Sequence, residues 1–268
     1  MHTLHVWIQI SPILLLLLAF FLRRDDRRRI DDLVTLALIL AYGRVGSVLL
    51  KFLTQPYVPT YDAAFLKMDR AVGIDPLAAF QWTSNHFWAL QSLVFIYKLL
   101  LIMITLAWIV EQDRKMRRAL LVGGIASFIF FALFPAVGPA YFDRSHGVAS
   151  ALVPCNCMPS MHMVWALLIA VNARSRALKL ILWSFAALTA VATIGLGQHY
   201  VVDLLAAIPY AAASQVVARL IPRWAEHWTP WGVAPGQSGR PPAIANRQPQ
   251  GYSSSGTTSS RIQYDDVD

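Results

Sequence analysis

The sequence predicts an all-α integral membrane protein with a six-helix core preceded by one further N-terminal transmembrane helix. Three observations lead there. Of 268 residues, 56% are hydrophobic and only 14% charged, with a mean hydropathy of +0.48, whereas a soluble domain is about 45–50% apolar and about 25% charged. Seven apolar stretches approach the roughly 20 residues a helix needs to cross a bilayer. Short basic clusters also recur at every second connection, as the positive-inside tendency requires.

The first stretch, Leu4 to Leu22, lacks charge and is followed, not preceded, by the basic run "RRDDRRR" at 23–29. A secretion signal has the reverse order, so this reads as a retained span. The second to fourth stretches run from Leu33 to Phe52, Trp88 to Val110 and Ala119 to Ala136. The fifth to seventh run from Met158 to Ala173, Leu180 to Gly197 and Tyr200 to Ile221. Basic clusters at 113–118 and 174–179 follow the third and fifth, and Arg219 and Arg223 flank the end of the seventh. Together these predict an N-terminus outside, a C-terminus in the cytoplasm, and a location in the cell membrane.

The domain organisation follows. Residues 1–32 are the N-terminal helix and its basic loop, 33–221 the membrane-embedded domain, and 222–268 a Pro-, Gly- and Ser-rich tail that cannot bury a core and is expected to be disordered. Trp224, Trp228 and Trp231 read as interfacial anchors. On the outer face, 53–87 is amphipathic and aromatic-rich, as a segment lying on the lipid surface would be.

The net charge of +8 does not indicate nucleic acid, because the basic residues fall between apolar runs. No internal repeat, paired broken helices of a transporter, Gly-rich nucleotide loop, HExxH or Gly-x-Ser-x-Gly elbow is present.

Two polar islands carry the candidate chemistry. In "GQHYVVD" (197–203), Asp203 follows His199 by four residues and so shares its helical face, where it can accept one ring N–H and leave the other nitrogen free. In "CNCMPSMH" (155–162), Ser160 reads as the N-cap of a helix whose free N–H groups at Met161, His162 and Met163 would suit a phosphate. Two spans and a basic hairpin separate the islands, which returns His162, His199 and Asp203 to one face. Arg44 and Lys98 lie inside spans, where a charge either marks a functional cavity, snorkels or forms a buried pair. Arg70 and Arg144 are further candidate phosphate ligands in the outer segments. Cys155 and Cys157 could form a strained local bridge in an oxidising compartment. With His162 and His199 they could also be drawn around zinc, but Cys-x-Cys is too tight for a common structural site and no second pair exists, so no metal or other cofactor is expected.

"PSMH" opening one span and "GQHYVVD" opening the span two later resemble the type-2 phosphatidic acid phosphatase superfamily, within its inositolphosphotransferase branch, which includes inositol phosphorylceramide synthase and is similar to sphingomyelin synthase. "DAAFLKMDRAVGIDP" (62–76) and "FPAVGPAYF" (134–142) are similar to segments that precede the two motifs there. The likeness covers about residues 33–221. The usual first motif, a Lys six residues ahead of Arg-Pro, is missing, and Ala192 and Thr193 stand where a Ser-Arg pair would precede the second histidine. The resemblance implies a lipid phosphotransferase or phosphatase with His199 as nucleophile, Asp203 as its orienting partner and His162 as general acid; it leaves the phosphate-binding cations unassigned, and Ser160, Arg44 and Arg144 are the phosphate ligands expected from the residues themselves. It implies a lipid phosphoester as substrate and inositol or another alcohol as acceptor; water as acceptor would make a lipid phosphate phosphatase. The alternative outside enzymology is a scaffold or transporter in which His162, His199 and Asp203 form a polar relay.

Overall fold

A computed structural model of the chain describes residues 2–53, 59–145 and 155–221. The expected tail with its three tryptophans, residues 146–154 and the side chain of Arg144 lie outside the described residues. Within them the fold is all helical, in eleven helices: α1 (His2–Leu22), α2 (Asp26–Leu53), α3 (Asp62–Ala71), α4 (Pro76–Asn85), α5 (Phe87–Lys98), α6 (Leu100–Glu111), α7 (Arg114–Leu133), α8 (Pro139–Ser145), α9 (Met161–Asn172), α10 (Arg176–Gly195) and α11 (Val201–Leu220).

Five segments are long and apolar enough to cross a membrane: Arg28–Leu50, Phe87–Glu111, Arg114–Leu133, Arg176–Gly195 and Val201–Leu220. The second of these joins α5 to α6 through Leu99, whose N–H bonds to both Phe95 and Ile96 carbonyls at 3.1 Å, so the pair acts as one span.

The fifth expected span is corrected by the structure. Met158, Pro159 and Ser160 are spent on the approach and the cap, and α9 has only 12 residues. At 1.5 Å per residue it is about 18 Å long, well short of the roughly 30 Å hydrocarbon layer. It survives as a central post. Val164, Ala166, Leu168, Ile169 and Ala170 are each no more than 2% exposed, and small side chains let α10 pack closely against it, Ala166 and Ala170 sharing a core cluster with Ala186.

The basic clusters meet at one end of this bundle. Arg23 pairs with buried Asp32 (2.8 Å), Arg114 with Asp31 (2.7 Å) and Arg174 with Asp113 (3.0 Å). Arg118 also reaches the Ile221 carbonyl at 3.5 Å. Each of α9, α10 and α11 runs between that end and the end holding His162 and His199, as alternating connections require.

The segment at 53–87 is more than a surface layer. Met68, Val72, Ile74, Trp82 and Phe87 are exposed, as lipid contact would have them, but Asp62, Phe65, Leu66 and Asp69 are buried on the other side of α3. The two inward carboxylates each bind backbone N–H groups of the loops around the histidines.

Candidate active site

His199 hangs from a turn that α10 cannot continue. The N–H groups of Gln198 and His199 both return to the Thr193 carbonyl (3.0 and 3.3 Å), and Gly197 takes φ +62°, a left-handed value that favours glycine. The loop before α8 closes over this turn. Gly138 has φ +90°, and a Cβ there would stand 2.5 Å from the Gln198 carbonyl oxygen. The Ala140 N–H donates to the Gly197 carbonyl at 2.8 Å.

Buried carboxylates hold the same loops from beneath. Asp62, fully buried, accepts the N–H groups of Val137 (3.1 Å) and Gly138 (2.8 Å) and the hydroxyl of Tyr200 (2.9 Å). Burial and the Asp62 charge push the Tyr200 phenol far above its ordinary value, so it stays a donor. Asp69 accepts the N–H groups of Val201 (2.7 Å) and Val202 (3.0 Å), which are unpaired donors of the first turn of α11.

The structure brings His162, His199 and Asp203 together. His199 is 5% exposed and Asp203 fully buried. The His199 Nδ1 lies 2.9 Å from the Cys157 carbonyl oxygen and 3.6 Å from Asp203 Oδ2. A carbonyl can only accept, so Nδ1 carries the proton and Nε2 is left with a free lone pair. Asp203 Oδ2 also accepts the Tyr200 N–H at 2.8 Å.

His162 stands in the first turn of α9 with its ring stacked on Tyr97, centroids 3.8 Å apart, and its centroid lies 6.4 Å from that of His199. Ser160 caps α9 as expected, accepting the Met163 N–H at 3.4 Å. That corrects one detail, because Met163 is no longer a free donor, which leaves the N–H groups of Met161 and His162 as the open ones of the three among the described residues. The Ser160 N–H reaches the Asp203 carbonyl at 3.4 Å, tying the start of α9 to that of α11.

Both histidines line a cavity of about 380 Å³, together with Tyr42, Tyr97, Tyr141, Asn156 and Gln198. An apolar groove of about 500 Å³ shares Tyr97, His162 and Trp165 with it and runs on past Lys98 and Ile104 to Trp108. Arg44 is exposed on α2, and the cavity is lined by its neighbours Gly43 and Gly46. Arg70 turns to Asp75 at 2.9 Å instead.

Sequence reasoning missed Cys157, Asp62, Asp69 and Tyr97 as parts of the site. The two aspartates were findable. With Phe65 and Leu66 they occupy i, i+3, i+4 and i+7, which places carboxylates on the apolar stripe of α3.

Cys155 and Cys157 are free thiols. The Sγ of Cys157, the Nδ1 of His199 and a carboxylate oxygen of Asp203 lie within 4.8 Å of one another, a spacing open to a metal ion. Their chemistry argues otherwise. A metal would need Nδ1 without its proton and sulfur as thiolate, but Nδ1 faces a carbonyl, and burial followed by the Asp203 charge pushes the Cys157 thiol well above its ordinary value.

An all-helical membrane protein with two histidines facing one cavity, the second held from behind by backbone and carboxylate, is the class that fold and site define. The chain belongs to the PAP2 superfamily, whose family model matches residues 63–217, more than half of its length. The matched region excludes α1 and α2. Membership makes this a membrane protein of lipid phosphatase or phosphotransferase type. Searches of curated proteins and of solved structures return no significant match.

Proposed function

We propose that the protein cleaves a lipid phosphoester through a phosphohistidine at the outer membrane face, and that it passes the phosphoryl group to inositol or another alcohol. One observation carries the reading: two imidazoles with centroids 6.4 Å apart share a cavity, and only the nitrogen of His199 that faces away from Asp203 is free to attack. That gap accommodates a phosphorus atom near attack distance, about 3–3.5 Å, from one ring while the leaving oxygen meets the other.

His199 Nε2 attacks phosphorus and the bond to the leaving oxygen breaks. His162 gives that alkoxide its proton, which the negative charge of the phosphoester helps it to hold. The positive charge that develops on His199 is met by Asp203. The acceptor hydroxyl then loses its proton to His162 and attacks phosphorus, and the P–N bond breaks.

Continuity of the polar cavity with the apolar groove supports a lipid substrate. The neutral polar groups of Tyr42, Tyr141, Asn156 and Gln198 suit the hydroxyls of a polyol acceptor and favour transfer over simple hydrolysis. Hydrolysis to a free lipid alcohol and phosphate is the second reading. Arg44 and Arg144 remain our proposed phosphate ligands, together with the N-terminus of α9 that Ser160 caps.

Purified protein in lipid bilayers, given the lipid phosphomonoester phosphatidic acid with and without inositol, should form a phosphoryl-inositol product detected by mass spectrometry. Inorganic phosphate as the sole phosphorus product would assign it as a phosphatase. His199→Ala should abolish turnover and any acid-labile phosphoryl label on the protein. His162→Ala should slow transfer by about 10²–10⁴ and hurt poor leaving groups more than activated aryl phosphates. Asp203→Asn should cost up to about 10⁴. Phosphoryl labelling that persists in His199→Ala would sink the mechanism.

A further inference from the structure

We propose that Cys157 is a positioning residue for the His199–Asp203 pair, holding the imidazole with its backbone carbonyl and the carboxylate with its thiol. The inference rests on the phosphohistidine reading for its catalytic consequence, and on local geometry for the rest.

The residue is 2% exposed, and its own N–H is anchored to the Ala136 carbonyl at 3.2 Å, in the loop that Asp62 holds. It cannot swing out to solvent. From that fixed point its carbonyl accepts the His199 Nδ1 proton at 2.9 Å. Its Sγ lies 2.7 Å from Asp203 Oδ2, against 3.5 Å from His199 Nδ1 and 3.3 Å from the Gln198 carbonyl.

The ring N–H of His199 is therefore nearer to residue 157 than to the carboxylate at 3.6 Å that the sequence offered as its partner. Asp203 Oδ2 is crowded by the thiol and the Tyr200 N–H, whereas Oδ1 is buried without a hydrogen-bond partner among the described residues. An S–H can donate to only one of these acceptors at a time, and a carboxylate is the strongest on offer. Its donation holds Asp203 in one rotamer, with the oxygen nearest the ring in place before any charge develops on it.

Pre-organisation of this kind lowers the barrier without touching substrate. When His199 attacks phosphorus, its Nδ1–H gains acidity and can tighten on the waiting Oδ2. A wandering carboxylate would have to be oriented at that moment. The protonated thiol is favoured by burial and by the charge it faces.

Two measurements test this, one with turnover and one without. Cys157→Ala should lower kcat about 10-fold, the usual worth of a hydrogen bond to a charged group, while KM stays within about twofold. Cys157→Ser keeps a donor and the carbonyl, and should recover most of the loss. Infrared difference spectra of wild type against Cys157→Ala isolate the S–H stretch of Cys157. It should lie at the low frequency of a strong hydrogen bond and rise in Asp203→Asn.

A free-thiol frequency in wild type, or wild-type kcat in Cys157→Ala, would overturn the proposal. If Cys157→Ala fails to fold, the infrared shift between wild type and Asp203→Asn and the kcat of Cys157→Ser decide. If wild type transfers no phosphoryl group to any acceptor, the phosphohistidine reading falls. The S–H frequency then upholds or overturns the thiol-to-carboxylate clamp by itself.

Discussion

At the scale of single residues, the pair His199 and Asp203 was legible because a separation of four residues keeps the two close, even though α11 begins at Val201 and His199 stands on the turn before it rather than on the same helical face. Cys157 and Tyr97 were not, because each meets a histidine through space from a different element, and no periodicity encodes such a meeting. "CNC" reads as two cysteines near each other; only the fold makes one of them a partner of Asp203. Their environment gives a direct check. Burial pushes the Cys155 thiol up to about 11 and holds Cys157 well above its ordinary value. Because the thiolate is the nucleophile, roughly one Cys155 in ten thousand would be reactive at neutral pH, and Cys157 is likewise held as the unreactive thiol. Iodoacetamide should therefore leave both thiols intact in native protein and modify both after denaturation in detergent, as counted by intact mass. Rapid native modification would contradict the buried site. For the same three-residue cluster, turnover should survive EDTA, and loss on chelation with recovery on added zinc would instead assign Cys157, His199 and Asp203 as metal ligands.

At the scale of elements, span positions were readable from hydropathy and their ends were not. The run "RRDDRRR" was expected to be a loop, yet only Arg23, Arg24 and Asp25 stay outside helix and α2 begins at Asp26. Charged residues continue a helix readily once it emerges from lipid, so charge marks depth better than it marks a helix boundary. The loops over the site carry the sharper test. Gly73 and Gly138 both have left-handed φ, +81° and +90°, but a Cβ at Gly73 meets nothing within 4 Å whereas one at Gly138 meets the backbone of Gln198. Gly73→Ala should lose only the roughly 1–2 kcal/mol of backbone strain, seen in a thermal melt, with kcat unchanged. Gly138→Ala adds a collision that the main chain must relieve by moving the turn before His199, and should lose most of its turnover. Equal kcat in the two variants would mean that the contact does not position the histidine. Asp69→Ala removes the acceptor for two N–H groups of α11 and should cost about 2 kcal/mol, on the scale of a strong helix cap.

At the scale of the whole molecule, the alternation of basic clusters predicted which connections lie together, and the ion pairs Arg23–Asp32, Arg114–Asp31 and Arg174–Asp113 gather them at one end. The two pairs made by exposed arginines, Arg114–Asp31 and Arg174–Asp113, contribute little to holding the bundle together. Their use here is topological: positive loops resist translocation, so the end that collects them is expected in the cytoplasm and the histidines outside. The test needs one thiol at each end, and the buried native cysteines can stay in place as unreactive background. Asn85 ends α4 on the site side and is exposed, and Arg176 opens α10 on the basic side and is exposed. Asn85→Cys should react with a membrane-impermeant maleimide on intact cells, and Arg176→Cys only after the membrane is opened. The reverse pattern would put the cavity in the cytoplasm, where the acceptor and lipid leaflet would both differ. Labelling of both from one side would mean that an odd number of spans does not separate the ends of this bundle, and an active site at the outer face would have to be abandoned.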